Sequence, residues 1–192
     1  WFWRGVNNNQ NAIYLECFID EMAKLAGRDP LAFRRKLMAD YPKHLAPLDA
    51  VAERIGWTRP AAPGIFRGIC QQAGYGSYLA GGAEITLRPN GKIKVERIVI
   101  AIDCGVAVNP LQVEHQTEGG VAYALGALYF QENTVKAGRM VEENFDTFPS
   151  LLLADMPKVE TVLLQTGYGW GGVGEACGIV AAPAVMNAIF AA

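Results

Sequence analysis

Apolar residues in the first part of the chain recur at three- and four-residue steps, a spacing that predicts helices. Between Asn11 and Gly27 these positions follow one side of a helix, and Gly27 is a typical residue just past a helix end. Asp29-Pro30 predicts the start of a second helix, because Asp is a favoured N-cap and Pro suits the first turn. We expect this second helix to run to about Met38.

A basic run on the second helix and a shorter third helix complete this part of the chain. Arg34-Arg35-Lys36 lies near the C-terminal end of the second helix, where positive charge complements the helix dipole. We therefore expect this run to be an exposed, solvated face. The third helix is predicted from about Leu45 to Ile55, with Gly56 ending it.

Alternation of apolar and polar residues predicts a β-hairpin near the middle of the chain. Ala83–Leu87 and Ile93–Ile102 alternate, and Pro89-Asn90-Gly91 between them is a turn sequence. From Ile98 onward the second strand is apolar without interruption, so we expect that end to be buried on both faces. The preceding segment, Ala61 to Gly82, is rich in Gly, Ala and Pro, which predicts a loop or an irregular strand.

A long helix is predicted to open at Asn109-Pro110 and to reach about Leu128. It carries three glycines, Gly119, Gly120 and Gly126, each of which weakens a helix by about 1 kcal/mol relative to Ala. Close packing of the helix backbone against another element is the simplest reason for such a concentration.

The last part of the chain predicts short strands followed by a helix. The strands are expected near Tyr129 to Val135 and Val159 to Gln165, and the helix from about Ala181. Strands and helices interleave without a regular βαβ period. The predicted fold class is therefore α+β or mixed α/β, with a β-hairpin and several packed helices.

Composition narrows the classes of protein to consider. The chain has 192 residues, 51% of them hydrophobic, and a formal net charge of -2, which fits one domain with a substantial core. Only 19% of residues are charged, a low share that suggests a surface partly covered by a partner or by further chain. The near-neutral balance argues against nucleic-acid binding, and no apolar run is long enough to predict a membrane span.

The ends of the chain and its isolated cysteines and histidines carry less information. The chain opens on Trp1-Phe2-Trp3 without an initiator Met and closes on an apolar, helix-like run, so both ends look cut. The four cysteines lie far apart and are expected to be reduced, buried thiols. His44 and His115 stand alone, so we expect structural roles for both rather than a metal site or a triad.

The glycine-rich stretch that ends at Glu175 is the strongest local indication of a functional site. Gly171, Gly172 and Gly174 allow a backbone that approaches a ligand closely, and a carboxylate presented there is suited to act as a general base. The alternative is an ordinary turn whose Glu caps the following helix. A phosphate-binding loop is less favoured, since the Gly-Lys-Ser/Thr ending is absent.

Two further segments are candidates for ligand binding. Asp103-Cys104-Gly105 ends a buried strand shortly before a helix N-terminus, and Gln116 lies within that helix among glycines. Gln116 is either a hydrogen-bond partner of a ligand or a surface residue. Arg4-Gly5, followed by a polar run before the first helix, is either an anion-facing segment or an N-cap region with an exposed Arg.

These three signals together resemble the xanthine dehydrogenase and aldehyde oxidase family of molybdenum hydroxylases. The resemblance covers essentially the whole chain. It is strongest to the branch that contains the isoquinoline 1-oxidoreductase beta subunit and related bacterial aldehyde dehydrogenases. The motifs that carry it are Arg4-Gly5 with Gln10 and Glu16, Asp103-Cys104-Gly105 through Asn109-Pro110 to Gln116 and Glu118-Gly119, and Gly172-Val173-Gly174-Glu175.

The resemblance implies that residues 1–192 form the C-terminal part of a molybdopterin-binding large subunit. Such enzymes bind molybdopterin with molybdenum, in bacteria often as the cytosine dinucleotide, and the pterin dithiolene rather than the protein holds the metal. They hydroxylate an aldehyde or an N-heteroaromatic substrate with oxygen from water, and electrons leave through iron–sulfur clusters on a partner subunit. The expected partners are therefore the N-terminal remainder of the large subunit, an iron–sulfur subunit and a small-molecule substrate.

The resemblance also implies roles for individual residues. Glu175 matches the catalytic glutamate, the general base towards Mo–OH, and Arg4 matches an arginine beside the molybdenum ligands. Gln116 matches a glutamine that hydrogen-bonds the pterin, and the glycines Gly5 and Gly174 are expected to lie against the cofactor. Val6 falls where many relatives place a substrate-stacking Phe, so a different substrate wall is expected.

Two departures from the family pattern support an alternative. Ala176-Cys177 follows Glu175 where relatives usually have Pro, and Asn7-Asn8-Asn9 replaces a stretch that usually contains Gly. The alternative is a non-catalytic domain that keeps the fold without binding the cofactor. The sequence leaves open the substrate, the electron acceptor and the compartment, which in this branch is cytoplasmic or periplasmic.

Overall fold

The computed structural model describes residues 3–192, and Trp1 and Phe2 of the opening motif lie outside the described residues. The helices are α1 Asn7–Leu25, α2 Pro30–Leu37, α3 Pro42–Ile55, α4 Pro110–Tyr129 and α5 Gly178–Phe190, with a short 3-10 turn at Leu153–Asp155. The strands are β1 Ile65–Gly74, β2 Ser77–Leu87, β3 Ile93–Asp103, β4 Val135–Lys136, β5 Arg139–Met140 and β6 Lys158–Leu164. This arrangement confirms the predicted mixed α+β class.

Four of the strands form one sheet in the order β1-β2-β3-β6. The pairs β1–β2 and β2–β3 are antiparallel hairpins, whereas β3 and β6 are parallel. Parallel neighbours need a long crossover, and α4 lies in the connection between these two strands. The small strands β4 and β5 form a separate two-stranded sheet.

The sheet is covered by helices on both faces. Ile98, Ile100 and Ile102 of β3 pack into one core with residues of α4 and α5. The alternate residues Val99 and Ala101 pack into a second core with α3. Successive side chains of a strand point to opposite faces, so burial on both sides explains the uninterrupted apolar run, as the sequence predicted.

The β1–β2 hairpin corrects the prediction of a loop or irregular strand over Ala61–Gly82. Its glycines suggested turns, but two of them allow α5 to lie against the sheet. A Cβ on Gly68 would lie 2.2 Å from the Ala184 carbonyl oxygen, and one on Gly81 would lie 2.5 Å from the Val180 carbonyl oxygen. Glycine serves close helix–sheet contact here, a purpose that local pattern does not distinguish from a turn.

Several predicted boundaries also needed correction. The strand predicted at Tyr129–Val135 is wrong, because α4 continues through Tyr129 and only a two-residue strand follows at Val135. α1 begins at Asn7, before the predicted Asn11. α5 starts at Gly178, earlier than the predicted Ala181. The missed helix starts lie in Asn- and Gly-containing segments, whose low helix propensity is overridden by packing.

The prediction of a fully solvated basic run on α2 is wrong for Arg34. Its side chain is 1% exposed and forms ion pairs with Glu16 and Asp20 of α1. Arg35 follows the prediction, since it is about half exposed and pairs with Asp49. The residues that pair with Arg34 are 14 and 18 positions away, which is why the local basic pattern did not reveal them.

All four cysteines are free thiols, as expected, and three of them are buried. Burial raises the pKa of Cys177 to about 11 and that of Cys70 well above its usual value. No helix within residues 3–192 is long and apolar enough to cross a membrane.

Candidate functional site

The glycine-rich loop between β6 and α5 is held by two neighbouring elements. Gly171 donates its N–H to the Cys104 carbonyl at the end of β3, at 2.9 Å. Gly172 donates its N–H to the Tyr75 carbonyl at 2.8 Å, and the Ser77 hydroxyl donates to the Gly172 carbonyl, also at 2.8 Å. The loop therefore lies between the end of β3 and the β1–β2 turn.

Asp103 anchors the first part of this loop. Its carboxylate is fully buried and accepts hydrogen bonds from the Gly105 N–H at 3.0 Å and from the Thr166 hydroxyl at 2.8 Å. The Tyr168 hydroxyl also donates to it at 2.7 Å, and burial together with this bond raises the pKa of Tyr168 to about 12. Asp103 of the Asp-Cys-Gly motif thus orders the loop and does not face an open site.

Arg4 joins the three sequence motifs in space. Its Nε donates to the Gly174 carbonyl at 2.8 Å. Its Nη2 donates to the Gln116 side-chain oxygen at 2.8 Å and to the Gln116 carbonyl at 3.3 Å. These partners are 112 and 170 residues away along the chain. The guanidinium donates only to neutral oxygens in the described part of the chain, so its positive charge is available to an anionic ligand.

Gly5 positions the carboxylate of Glu175. Its N–H donates to Glu175 Oε1 at 3.1 Å, and its backbone is left-handed with φ 93°. A Cβ on this residue would lie 2.1 Å from the side-chain nitrogen of Asn9, which itself donates to the Arg4 carbonyl at 2.6 Å. Glycine is therefore required at position 5 for both conformation and space.

Val6 is the most unusual backbone position beside the site. It has φ 47° and ψ -137°, a conformation that a β-branched residue rarely adopts, and its side chain is 40% exposed. Such strain costs on the order of 1–3 kcal/mol and persists where surrounding structure enforces it, often at functional sites. Val6 therefore lies next in sequence to Gly5, whose N–H donates to the Glu175 carboxylate.

Tyr75 is a site residue that the sequence analysis missed. It stands in the β1–β2 turn and is 39% exposed, and its carbonyl accepts the Gly172 N–H of the loop that carries Glu175. Burial raises the pKa of Tyr75, and the negative charge of Glu175 raises it further. The only local signal was the Tyr-Gly pair between two strands, which the loop prediction for this segment obscured.

The cluster opens onto free space. Gly174 is exposed, and the nearest atom to a Cβ placed on it is the Gln116 side-chain oxygen at 4.0 Å. On the other side of the cluster, a Cβ on Gly119 would lie 3.5 Å from Arg4 Nη1. The exposed glycine backbone, the Arg4 cation and the Gln116 amide offer hydrogen-bonding groups to a ligand that approaches here.

A separate cavity of about 750 Å³ lies beside the cluster and does not include Glu175. It runs between α1, α4 and α5, and on one of its walls the rings of Trp3 and Tyr123 pack at a tilt of 38° with centroids 4.7 Å apart. The chemistry-bearing residues therefore lie outside this largely apolar space.

Neither histidine lies among the residues that surround Glu175. His44 is hydrogen-bonded to Gln71 and packs edge-on against Tyr78, and burial lowers its pKa. His115 is exposed on α4. Within residues 3–192 no group of three or more His, Cys, Asp or Glu side chains is arranged to hold a metal ion.

Sequence comparisons place the chain beside molybdenum-dependent and related dehydrogenases. Residues 57–157 match the family model of the molybdopterin cofactor-binding domain. Over 97% of the chain, it is 30% identical to one of the subunits of nicotinate dehydrogenase from Pseudomonas putida, covering 17% of that protein. It is 27% identical to the beta chain of isoquinoline 1-oxidoreductase from Brevundimonas diminuta, again over 97% of the chain and 24% of the relative. The chain thus spans at most about a quarter of the length of these two relatives.

Solved structures agree with this placement. A Cu,Mo-CO dehydrogenase matches with a TM-score of 0.56 and 27% identity, over 60% of this chain and 16% of that one. Quinoline 2-oxidoreductase from Pseudomonas putida 86 matches with a TM-score of 0.55 and 26% identity, over 59% of this chain and 15% of that one.

Proposed function

Because the chain belongs to the molybdopterin cofactor-binding domain family, we propose that residues 1–192 are the C-terminal part of a molybdenum hydroxylase large subunit with Glu175 as catalytic base. One observation carries the proposal. Arg4, Gln116 and the Gly174-Glu175 pair come from distant parts of the chain and meet in one hydrogen-bonded cluster. A structural turn does not by itself need a guanidinium that bonds both its glycine carbonyl and the side-chain amide of a distant helix.

The cluster suits a molybdopterin. Arg4 and Gln116 would hold the cofactor by hydrogen bonds, and Gly5 and Gly174 would lie against it. The space beside Gly174 is open, since the nearest atom to an added Cβ is the Gln116 side-chain oxygen at 4.0 Å. When bound, the cofactor supplies a two-electron acceptor and the centre at which water-derived oxygen is transferred to carbon. We further propose the cytosine dinucleotide form of the cofactor and iron–sulfur clusters on a partner subunit.

Glu175 is suited to move a proton beside such a cofactor. The Gly5 N–H orients Oε1, and within residues 3–192 the carboxylate forms no ion pair that would neutralise it. A general base in this position accepts the proton of the attacking oxygen nucleophile. Enclosure by cofactor and substrate would strengthen this role by excluding water.

The substrate class follows from the relatives and from the wall at Val6. Their names specify isoquinoline, nicotinate and quinoline, and a further relative is an aldehyde dehydrogenase. We propose an aldehyde or an N-heteroaromatic substrate. The exposed Val6 side chain would form part of its binding wall with a smaller contact than an aromatic residue gives.

Glu175→Gln in the enzyme that contains this chain tests the proposal. Turnover of an aldehyde or N-heterocycle should fall by about 10²–10⁴-fold, because the amide cannot accept the proton. Molybdenum and pterin content should stay at the wild-type level, and Glu114→Gln on the exposed side of α4 is the matched control.

Two outcomes would contradict the proposal. Full turnover in the Glu175→Gln enzyme would remove Glu175 from the reaction. A stable native protein with no molybdenum or pterin would favour the alternative, a non-catalytic domain that keeps only the fold.

A further inference from the structure

The N-terminus of α1 is capped in an unusual way. Val6, the N-cap residue, makes no side-chain hydrogen bond to the helix and has a strained backbone. Helices usually begin with a side chain that accepts from the first turn, often paired with a side chain at the third helical position that reaches back. Here the third position is Asn9, the last residue of the Asn7–Asn9 run that departs from the family pattern. Its side chain is buried and reaches back over the residues before the helix.

The Asn9 amide donates to two backbone carbonyls. Its Nδ2 lies 2.6 Å from the Arg4 carbonyl oxygen and 3.4 Å from that of Val6. An amide nitrogen carries two hydrogens, so one side chain can bond both acceptors. A Cβ on Gly5, between them, would lie 2.1 Å from Nδ2, so the amide packs directly against the Gly5 backbone. Asn9 therefore holds the turn before α1 from the side of the helix.

The Arg4 carbonyl and the Gly5 N–H belong to one peptide unit. This unit is planar and trans, so its C=O and N–H point in opposite directions and cannot turn independently. The carbonyl accepts from Asn9 at 2.6 Å, and the N–H donates to Glu175 Oε1 at 3.1 Å. An orientation that Asn9 fixes at the carbonyl is therefore also fixed at the N–H.

The backbone around this peptide unit does not favour the orientation by itself. Gly5 has φ 93°, and glycine lacks the Cβ that would restrict it to one conformation. Val6 has φ 47°, and strain of this kind persists only where surrounding contacts enforce it. The Asn9 amide, with one bond before Gly5 and one after Val6, supplies such contacts.

We propose that Asn9 is a positioning residue that directs the Gly5 N–H at the Glu175 carboxylate through the Arg4–Gly5 peptide unit. A hydrogen bond accepted by the carbonyl also polarises the peptide unit, which strengthens its N–H as a donor. The inference rests on the proposed role of Glu175 as base, and it extends that role to a residue that acts through the backbone.

Hydrogen exchange of the Gly5 amide, resolved to single residues in the complete enzyme, tests the positioning directly. Asn9→Ala removes the donor. Asn9→Asp keeps the shape without an N–H, and an acidic residue in the first turn favours a helix. In both variants the Gly5 amide should exchange about tenfold faster, as expected for the loss of one hydrogen bond. The α1 amides of residues 13–25 should keep their wild-type rates.

Two exchange results would overturn the proposal. One is a wild-type rate at Gly5 in either variant. The other is an equal acceleration along the whole of α1, which is what a purely structural role of Asn9 would give.

Asn187 on α5 provides a matched control. It is also buried, and its Nδ2 also donates to two backbone carbonyls, one on β1 at 2.9 Å and one on α1 at 3.3 Å. Asn187→Ala therefore removes a comparable amide without touching the turn before α1. It should leave the Gly5 amide at its wild-type rate. Faster Gly5 exchange in this control as well would indicate general loosening and overturn the proposal.

Turnover per bound molybdenum gives the second readout. In Asn9→Ala this kcat should fall about tenfold with little change in KM, because a misdirected base accepts the proton less efficiently. A structural role alone would reduce the number of loaded sites and leave the kcat of each loaded site unchanged. Wild-type kcat per molybdenum in Asn9→Ala would overturn the proposal.

The two proposals fail in different ways. If Glu175 is not the base, Glu175→Gln keeps full turnover even though Gly5 exchange responds to Asn9→Ala. If Asn9 does not position the base, Glu175→Gln loses turnover while Asn9→Ala keeps wild-type Gly5 exchange and wild-type kcat.

Discussion

Arg34 and Arg35 are neighbours in the sequence with opposite surroundings. Arg34 is enclosed at the α1–α2 contact, where Glu16 and Asp20 face it from α1. Burial raises the pKa of Glu16 even with this cation beside it, which shows how poorly solvated the cluster is. Arg35 pairs with Asp49 in solvent, where an ion pair contributes little.

Arg34→Met should therefore be far more damaging than Arg35→Met. Removing Arg34 leaves two carboxylates buried without a counter-charge, a change that costs about 3–5 kcal/mol. Arg35→Met should change stability by less than about 1 kcal/mol. The measurement is the free energy of opening of α1 and α2 amides, from hydrogen exchange in the complete protein. Equal effects of the two substitutions would contradict this account.

At the residue scale, chemical type is easier to predict than surroundings. The motifs of Glu175, Arg4 and Gln116 single them out in the sequence, and the structure brings them together. Their roles in cofactor binding and catalysis stay predictions. Tyr75 and the buried Arg34 have no such motif, since their surroundings come from contacts with residues far away in sequence.

At the scale of elements, the position of α5 depends on glycines in the sheet. Gly68 on β1 and Gly81 on β2 let the helix backbone approach the strands more closely than any side chain would permit. The contact is backbone to backbone, so neither partner can give way by rotating a side chain. The start of α5 and the loop that carries Glu175 are positioned by this packing.

Gly68→Ala should disturb α5 and the adjoining loop. The added Cβ would lie 2.2 Å from both the Ala184 carbonyl oxygen and the Ala188 nitrogen, and relieving such overpacking costs about 1–3 kcal/mol or more. Gly126→Ala in α4 is the control, because its Cβ meets nothing closer than 3.6 Å and Ala favours a helix. Faster hydrogen exchange in α5 is expected for Gly68→Ala alone. Unchanged exchange in that variant would show that the helix can move away at no cost.

An ion-pair network links β6 to its neighbours. Arg97 on β3 makes two hydrogen bonds to Glu160 on β6, at 2.9 and 3.2 Å, and Arg54 of α3 reaches the same carboxylate at 2.6 Å. The hydrogen bond from Arg97 is the main cause that lowers the pKa of Glu160 to about 2. This network stabilises β6, the parallel strand at the edge of the sheet.

Glu160→Gln should remove a pH-dependent part of the stability of β6. The folded-state pKa of Glu160 is about 2, below its ordinary value of 4.5, so its stabilisation is complete above about pH 4.5 and lost towards pH 2. We expect faster exchange of β6 amides in the variant at pH 6, with a difference from wild type that narrows as the pH falls. Glu53→Gln on exposed α3 surface is the control. A difference that does not depend on pH would contradict the assignment.

Most helices and strands were predicted from the sequence pattern, and the wrong predictions share one cause. The β2–β3 hairpin, α4 with its Asn109 cap and β6 were predicted because their signals are local. β1 was predicted only as a loop or an irregular strand, and the start of α5 was placed too late. In both segments glycine resembles a turn residue, although it serves close packing. The local sequence pattern does not reveal the helix or strand against which these glycines pack.

At the scale of the whole molecule, Arg4 connects the beginning and the end of the chain. Its guanidinium reaches α4 at Gln116 and the loop before α5 at Gly174. Arg4 thereby connects three separate segments, and the candidate site forms only when all three are in place.

Arg4→Lys should loosen this assembly while conserving charge. Lysine has no planar fork, so it cannot satisfy Gly174 and Gln116 together. We expect a severalfold lower content of molybdenum and pterin per protein, with unchanged circular dichroism. Arg28→Lys, in the exposed turn after α1, is the matched control. Full cofactor content in Arg4→Lys would remove Arg4 from the binding site.

The sequence by itself determined the α+β class, the central hairpin and the types of residue suited to the chemistry, because periodicity, capping and glycine-rich motifs are local properties of a chain. Only the tertiary structure decided which of those residues meet. Contacts across 112 and 170 residues depend on how helices pack on the sheet. The contact of Tyr75 with the Gly172 backbone and the ion pairs of Arg34 arise in the same way, from neighbours that are distant along the chain.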